Sequence, residues 1–227
     1  MSILILLAGI FLVALVAFDM IVTTLVLSSG GGPLTGKVSD WLWKLALKRH
    51  ARAPSHRALS RVVWVMLLLV LALWALLLLT GWSLIFTAYG SAVVNSTTGE
   101  AAGFWSRVYF AGYAFITLGV GDYRPQGPLW QLATVMAAIN GFSAVTLTLA
   151  YLIPIVSAGV EKRQLAASIS GLGRSPQDML LRAWNGTDFS LLTPYMVSFA
   201  SNINLHAQRH LAYPVLHYFH SEQASLE

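Results

Sequence analysis

Thr117-Leu118-Gly119-Val120-Gly121-Asp122 is a run in which two glycines alternate with Thr, Leu and Val and which ends in a carboxylate. Glycine takes a positive φ without a Cβ clash, so such a run can turn its carbonyls to one side and line a hole with oxygen. Immediately upstream, Phe104 to Ile116 has no proline and is too short to cross a bilayer, which takes about 20 apolar residues. It is predicted as a half-helix that enters the membrane and stops against the glycines. Downstream, Asp122 and Pro125 lead into a second long apolar segment. Irregular backbone at that depth is tolerated only where it is buried in protein or lines a water-filled path.

Thr117, Gly119, Gly121, Asp122 and Pro125 stand in the order T-x-G-x-G-D-x-x-P, which resembles the pore loop of the potassium-channel superfamily. That resemblance implies rings of backbone carbonyls, with the threonine hydroxyl, replacing the hydration shell of a dehydrating K⁺. Thr117, Leu118, Gly119, Val120 and Gly121 would supply them, with K⁺ held at Thr117, Leu118, Gly119 and Val120 and with Asp122 at the filter mouth. It also implies four chains around one axis, a homotetramer, and no cofactor besides the permeant ion. One position departs from the pattern, Val120 standing where the family has an aromatic. The likeness is specific from Tyr109 to Pro125 and extends loosely from Ser60 to Ser157. A dinucleotide loop is a poor alternative, because the third glycine position is Arg124 and no strand-helix unit surrounds it.

The whole chain fits a membrane setting. Of 227 residues 56% are apolar and 10% charged, where a soluble domain carries about 25% charged residues. With no cysteine, disulfides and thiolate metal sites do not enter. Ile3 to Leu27 is the first predicted span, without the positive leader of a cleaved signal. Asp19 interrupts it and must face protein or a cavity. Two readings apply, a structural hydrogen-bonding group, which is favoured because no partner is identifiable, and a gating or proton-sensing carboxylate.

Ser28 to Gly36 reads as a flexible break. Beyond it Val38, Trp41, Leu42 and Leu45 recur at helical spacing while Lys37, Lys44 and Lys48 avoid that stripe, the pattern of an interfacial helix. Lys37 to Arg61 holds seven Lys or Arg against one Asp, and Tyr89 to Gly103 holds no Lys or Arg. The positive-inside rule therefore puts the basic loop in the cytoplasm and the pore mouth outside. The charge run reads first as a solvated, membrane-facing patch and second as a site for anionic lipid. No nucleic-acid motif accompanies it. Val62 to Thr87 is the second span, apolar all round as suits a lipid-exposed outer helix. Trp105, Tyr109, Phe110, Tyr113 and Phe115 make the half-helix rich in aromatics, either as a cuff around the filter or as interface anchors.

Leu129 to Val156 is the third span and by position the pore-lining inner helix. Gly141 near its middle is a gating-hinge candidate by resemblance, with close helix packing as the alternative. Thr146 and Thr148 are candidates for a cavity below the filter, and Pro154 must kink or end the span. Ser175-Pro176-Gln177-Asp178 is a helix start, Asn185-Gly186 its stop, and a further helix runs from about Pro194 to Leu211. His206 and His210, four apart, share a helix face and are weak candidates for metal binding or pH sensing. His217 and His220 follow, and the ending Leu226-Glu227 reads as a truncation or a scar.

The predicted architecture is an all-α membrane protein with three transmembrane helices plus a re-entrant pore helix and filter. It divides into 1–28, an N-terminal span; 29–61, a basic linker with an interfacial helix; 62–158, the pore domain; and 159–227, a helical tail. The expected function is a passive potassium-selective channel in the plasma membrane, not an enzyme, with its carboxyl tail cytoplasmic and lipid as its other partner. Val120 keeps a weakly selective K⁺/Na⁺ channel as the rival, and a potassium-uptake transporter subunit is more remote because only one pore loop is present. No span has the regularly spaced basic residues of a voltage sensor.

Overall fold

The computed structural model describes residues 2–26, 31–52, 56–213 and 216. His217, His220 and the Leu226-Glu227 ending lie outside the described residues, as does 28–30 of the expected flexible break. The elements in order are α1 (Ser2–Leu25), α2 (Pro33–Arg52), α3 (His56–Thr87), β1 (Val93–Asn95), α4 (Phe104–Phe115), β2 (Tyr123–Pro125), α5 (Pro128–Leu172), α6 (Pro176–Ala183), a 3₁₀ turn (Ser190–Leu192) and α7 (Thr193–Ala212). The protein is an all-α membrane protein, and among the described residues three helices, within α1, α3 and α5, are long and apolar enough to cross a bilayer.

α4 has 12 residues, about 18 Å of helix at 1.5 Å per residue, which cannot cross a hydrocarbon layer of about 30 Å. α5 has 45, about 68 Å, and so outruns the layer more than twofold. It passes through Pro154 without ending and continues to Leu172, where the sequence placed the end of the span at Val156. The proline removes one backbone donor, but the flanking turns and the neighbours described below hold the helix through it.

α3 is not the evenly lipid-facing helix its composition suggested. Met66, Leu67, Val70, Trp74, Leu78, Trp82 and Ile85 recur every three or four residues and are buried, while Leu68, Leu69 and Leu76 on the far side are exposed. Uniform apolarity hid that stripe. α1 lies against α3 through glycines: a Cβ on Gly9 would sit 2.8 Å from the Gly81 carbonyl, and one on Gly81 would sit 2.7 Å from a Val13 methyl. Small residues let two backbones approach where lipid offers no hydrophobic drive to associate.

Asp19 joins three helices. Its carboxylate is fully buried and accepts from the backbone N–H groups of Leu34 (2.6 Å) and Thr35 (3.1 Å), the Thr35 hydroxyl (2.6 Å) and the Trp74 indole N–H (2.8 Å). Gly32 packs so closely on it that a side chain there would collide with the carboxylate. The Thr23 hydroxyl accepts from the Gly32 N–H at 2.8 Å. α1 thus caps α2, satisfying orphan donors at a helix start and placing negative charge at the positive end of its dipole. Pro33 to Gly36 are consequently helical, not part of a flexible break, with Pro33 at the first turn where its missing N–H is no loss.

Candidate pore and filter

α4 buries Phe110, Ala111, Ala114 and Phe115 in the core formed with α3 and α5. It is held at its start by Arg107, whose guanidinium donates to the carbonyls of Gly90 (2.6 Å) and Thr87 (3.4 Å), closing the carboxyl end of α3. At its own end the chain turns without a gap into the glycine run. Ile116 N donates to Gly112 O (3.1 Å), Thr117 N to Ala114 O (3.2 Å) and Leu118 N to Tyr113 O (2.8 Å).

Thr117, Gly119 and Gly121 have φ of 58°, 62° and 88°, and Thr117 is the one non-glycine with positive φ among the described residues. Leu118 and Val120 therefore take ordinary negative φ, and the run alternates hand residue by residue. Alternation of this kind allows successive carbonyls to face the same way, as glycine's tolerance of positive φ permits. A non-glycine in the left-handed region carries a cost of order 1–3 kcal/mol, so Thr117 marks backbone held by its surroundings. Residues 116–122 are all exposed in the single chain, and a Cβ on Gly119 or Gly121 would meet nothing within 4 Å.

The outer end of the run is clamped by a ribbon that the sequence did not reveal. β1 pairs antiparallel with β2, with Asn95 opposite Tyr123 and Val93 opposite Pro125. Ser96 donates its hydroxyl to the Gly121 carbonyl (2.6 Å) and its N–H to that of Asp122 (2.9 Å). The Gly121 carbonyl is thus turned to Ser96, which anchors the outer end of the run. Ala92, Val93 and Val94 are buried, so this part of the segment between α3 and α4 is folded onto the core. Asn95 uses its side-chain oxygen to hold the N–H groups of Thr97 (2.8 Å) and Thr98 (3.0 Å). The β-branched Val93-Val94 pair was the available signal for this strand.

Aromatic rings fill the space behind the run. Phe86 meets Phe110 edge-on at 5.0 Å, Phe110 meets Tyr113 at 5.2 Å, Tyr113 meets Tyr109 at 5.2 Å, and Tyr109 meets Tyr123 at 6.3 Å. The Tyr113 hydroxyl donates to the Tyr123 carbonyl, and the Tyr109 hydroxyl stands 3.5 Å from a carboxylate oxygen of Asp122. Trp105 is outside this cuff, 78% exposed, with Phe104 as its ring partner. Val120 is 44% exposed and takes no part in the ring chain.

Gly141 of α5 is buried directly over the end of α4, where a Cβ would collide with the Phe115 carbonyl oxygen. Gly141 is thus a close-packing position. Thr146 bonds back to the Phe142 carbonyl of its own helix at 2.9 Å. Farther along, Tyr151, Ile155 and Ala158 bury against Leu67 and Leu216, with Tyr213 edge-on to Tyr151 at 6.0 Å. Arg209 of α7 pairs with Glu161 of α5 at 2.8 Å. The tail thus returns to the inner helix on both sides of Pro154. His206 and His210 share α7, but a ring nitrogen of His210 lies 2.9 Å from the His206 backbone carbonyl, and no group of three metal-ligating residues occurs among the described residues.

Residues 63–158, from α3 to just past Pro154 of α5, match a family model described as ion channel. The chain is also similar to the uncharacterized membrane protein YdjJ of Bacillus subtilis (strain 168), with 36% identity over 216 residues, 95% of this chain and 63% of the relative. It therefore spans less than two thirds of that curated relative's length. No solved structure matches.

Proposed function

We propose that four copies of this chain form a pore that conducts K⁺ passively across the plasma membrane, selecting it at the carbonyls of Thr117, Leu118, Gly119 and Val120. The single observation that carries this reading is the alternating handedness at Thr117, Gly119 and Gly121, on a stretch that its own chain leaves uncovered. One such strand cannot surround an ion, and rings of carbonyls are what replace a hydration shell. Gly121 and Asp122 serve as the outer anchor and mouth, and the partial negative charge at the end of α4 favours a cation beside it. The basic α2 and the tail lie in the cytoplasm on the positive-inside argument.

Reconstitution in liposomes with opposed K⁺ and Na⁺ gradients tests this. A K⁺-dominated flux from particles whose native mass equals four chains is expected. Flux from a stable monomer, or equal permeation by both ions, overturns the reading in its assembly or in its selectivity respectively.

A further inference from the structure

We propose that the outward side of α2 is a binding surface for anionic phospholipid of the leaflet at which α1 ends. Lys37, Lys44 and Lys48 contact headgroups, and Trp41 and Leu45 seat at the acyl boundary.

α2 has three faces. Thr35, Val38, Ser39, Leu42 and Ala46 form the covered stripe toward the protein. Trp41 and Leu45 form a second stripe, 64% and 52% exposed. Lys37, Lys44 and Lys48 form a third, all exposed. At 3.6 residues per turn the apolar pair lies between the other two stripes, roughly 60° from the lysines. Moving around the helix away from the protein, one meets hydrocarbon-loving and then cationic side chains, the order of materials at the edge of a leaflet.

The start of α2 is tied to α1 independently. Asp19 holds the first turn of α2, and it lies six residues before Leu25, the end of α1, about 9 Å along the axis. Interfacial helices sit about 5–10 Å into the boundary of headgroups and acyl chains. The lysines nearest that start reach the headgroups along their own stems. Exposed on α2 are Lys37, Lys44, Lys48 and Arg49 against Asp40 as the one carboxylate, and neither ion pair found among the described residues involves them. An isolated phosphate would need only the cations. The Trp41 and Leu45 stripe beside them specifies a headgroup that carries acyl chains.

The test uses the full chain in phosphatidylcholine vesicles containing one quarter phosphatidylglycerol, with spin-labelled versions of each lipid reporting the fraction immobilised by protein. Phosphatidylglycerol is expected to be preferred, and the preference is expected to fall roughly fivefold per lysine removed, vanishing in Lys37→Gln/Lys44→Gln/Lys48→Gln. Lys162→Gln/Arg163→Gln, which alters cations on α5, should leave it intact. Millimolar inorganic phosphate should not compete. Because the chain lacks cysteine, Leu45→Cys offers one thiol for a fluorophore that lipid-borne quenchers should reach with all lysines in place. A preference surviving the triple substitution, competition by free phosphate, or a fluorophore at 45 shielded from lipid by another copy of the chain overturns the proposal. None of these readouts depends on ion conduction.

Discussion

Tyr113 on α4 and Tyr123 beyond the glycine run are joined by a hydrogen bond from the first residue's hydroxyl to the second's carbonyl. The bond bridges the two ends of the glycine run without passing through it. An aromatic at 120 would brace the glycine run from within, whereas Tyr109, Tyr113 and Tyr123 brace it from behind, which on the proposed function is a brace for the filter. Tyr113→Phe keeps the ring contacts and removes one part-buried hydrogen bond, about 1 kcal/mol. The expected result is a faster decay of current and a lower K⁺/Na⁺ permeability ratio by bi-ionic reversal potential. Val120→Tyr should change neither. Wild-type behaviour in Tyr113→Phe would falsify the bracing argument.

Asp19 makes a different kind of bridge. Every contact to its carboxylate is a donated one. Asp19→Ala leaves four donors, three of them in buried bonds, without an acceptor at about 1–3 kcal/mol for each buried unsatisfied group, less whatever water repairs. A large loss of thermal stability in detergent is expected. Asp19→Asn should fall between, since its amide oxygen still accepts but its NH₂ faces donors, and Trp74→Phe should cost about 1 kcal/mol. Equal melting of Asp19→Ala and wild type would remove Asp19 from the scaffold.

These two bridges show where the sequence was legible. The glycine run, the short half-helix and the three apolar spans follow from length and conformational freedom, which are local properties. So do α6 and α7, whose starts lie at Pro176 and Thr193 beside the expected signals. The covered stripe of α3 was not legible, because a helix apolar on every side gives no periodicity to read. Nor was the partner of Asp19, since the donors on Thr35 and Trp74 lie 16 and 55 residues away. The Ser96 clamp on Gly121 was missed for the same reason, a pairing 25 residues apart. Gly141 was ambiguous because bending and close approach both call for glycine, and only the position of Phe115 separates them.

The Ser96 clamp also dictates how orientation should be probed. A cysteine at 96 would release the Gly121 carbonyl, so Thr98, exposed on the same turn, is the better site. Thr98→Cys is expected to react with an impermeant maleimide added outside intact cells, and Lys44→Cys only after permeabilisation. The reverse labelling would invert the topology.

In the tail, Asp178 sits in the first turn of α6, where it accepts from the Arg174 N–H (3.1 Å) and from Arg182 (3.0 Å). These bonds, the backbone one foremost, hold its carboxyl below the usual range. A depressed folded-state value means that the contribution to stability is present above the ordinary carboxylate pKa of about 4 and is lost as the pH falls through the lower folded one. Amide exchange in α6 is therefore expected to quicken below about pH 4, and Asp178→Asn should exchange fast at neutral pH with no further rise on acidification. A parallel acid response in that variant would place the titrating group elsewhere.

Gly141→Ala separates packing from hinging at the inner helix. If the glycine serves as a hinge, alanine stiffens α5 by about 1 kcal/mol, alters opening rates and leaves the filter untouched. The geometry gives another outcome. The added methyl meets the Phe115 carbonyl, which is backbone and cannot rotate aside, so α5 or the end of α4 must shift. Overpacking of this kind costs about 1–3 kcal/mol. Phe115 is two residues before Thr117, whose left-handed φ already depends on its setting, so the shift is passed to the first filter carbonyls. Gly141→Ala is thus expected to lower the melting temperature and to change the K⁺/Na⁺ reversal potential together. Pro154→Ala, which restores a backbone donor in α5 far from Phe115, should alter opening alone. If Gly141→Ala melts and selects as wild type does and differs only in how fast it opens, the hinge is the correct account of this glycine and the packing argument fails.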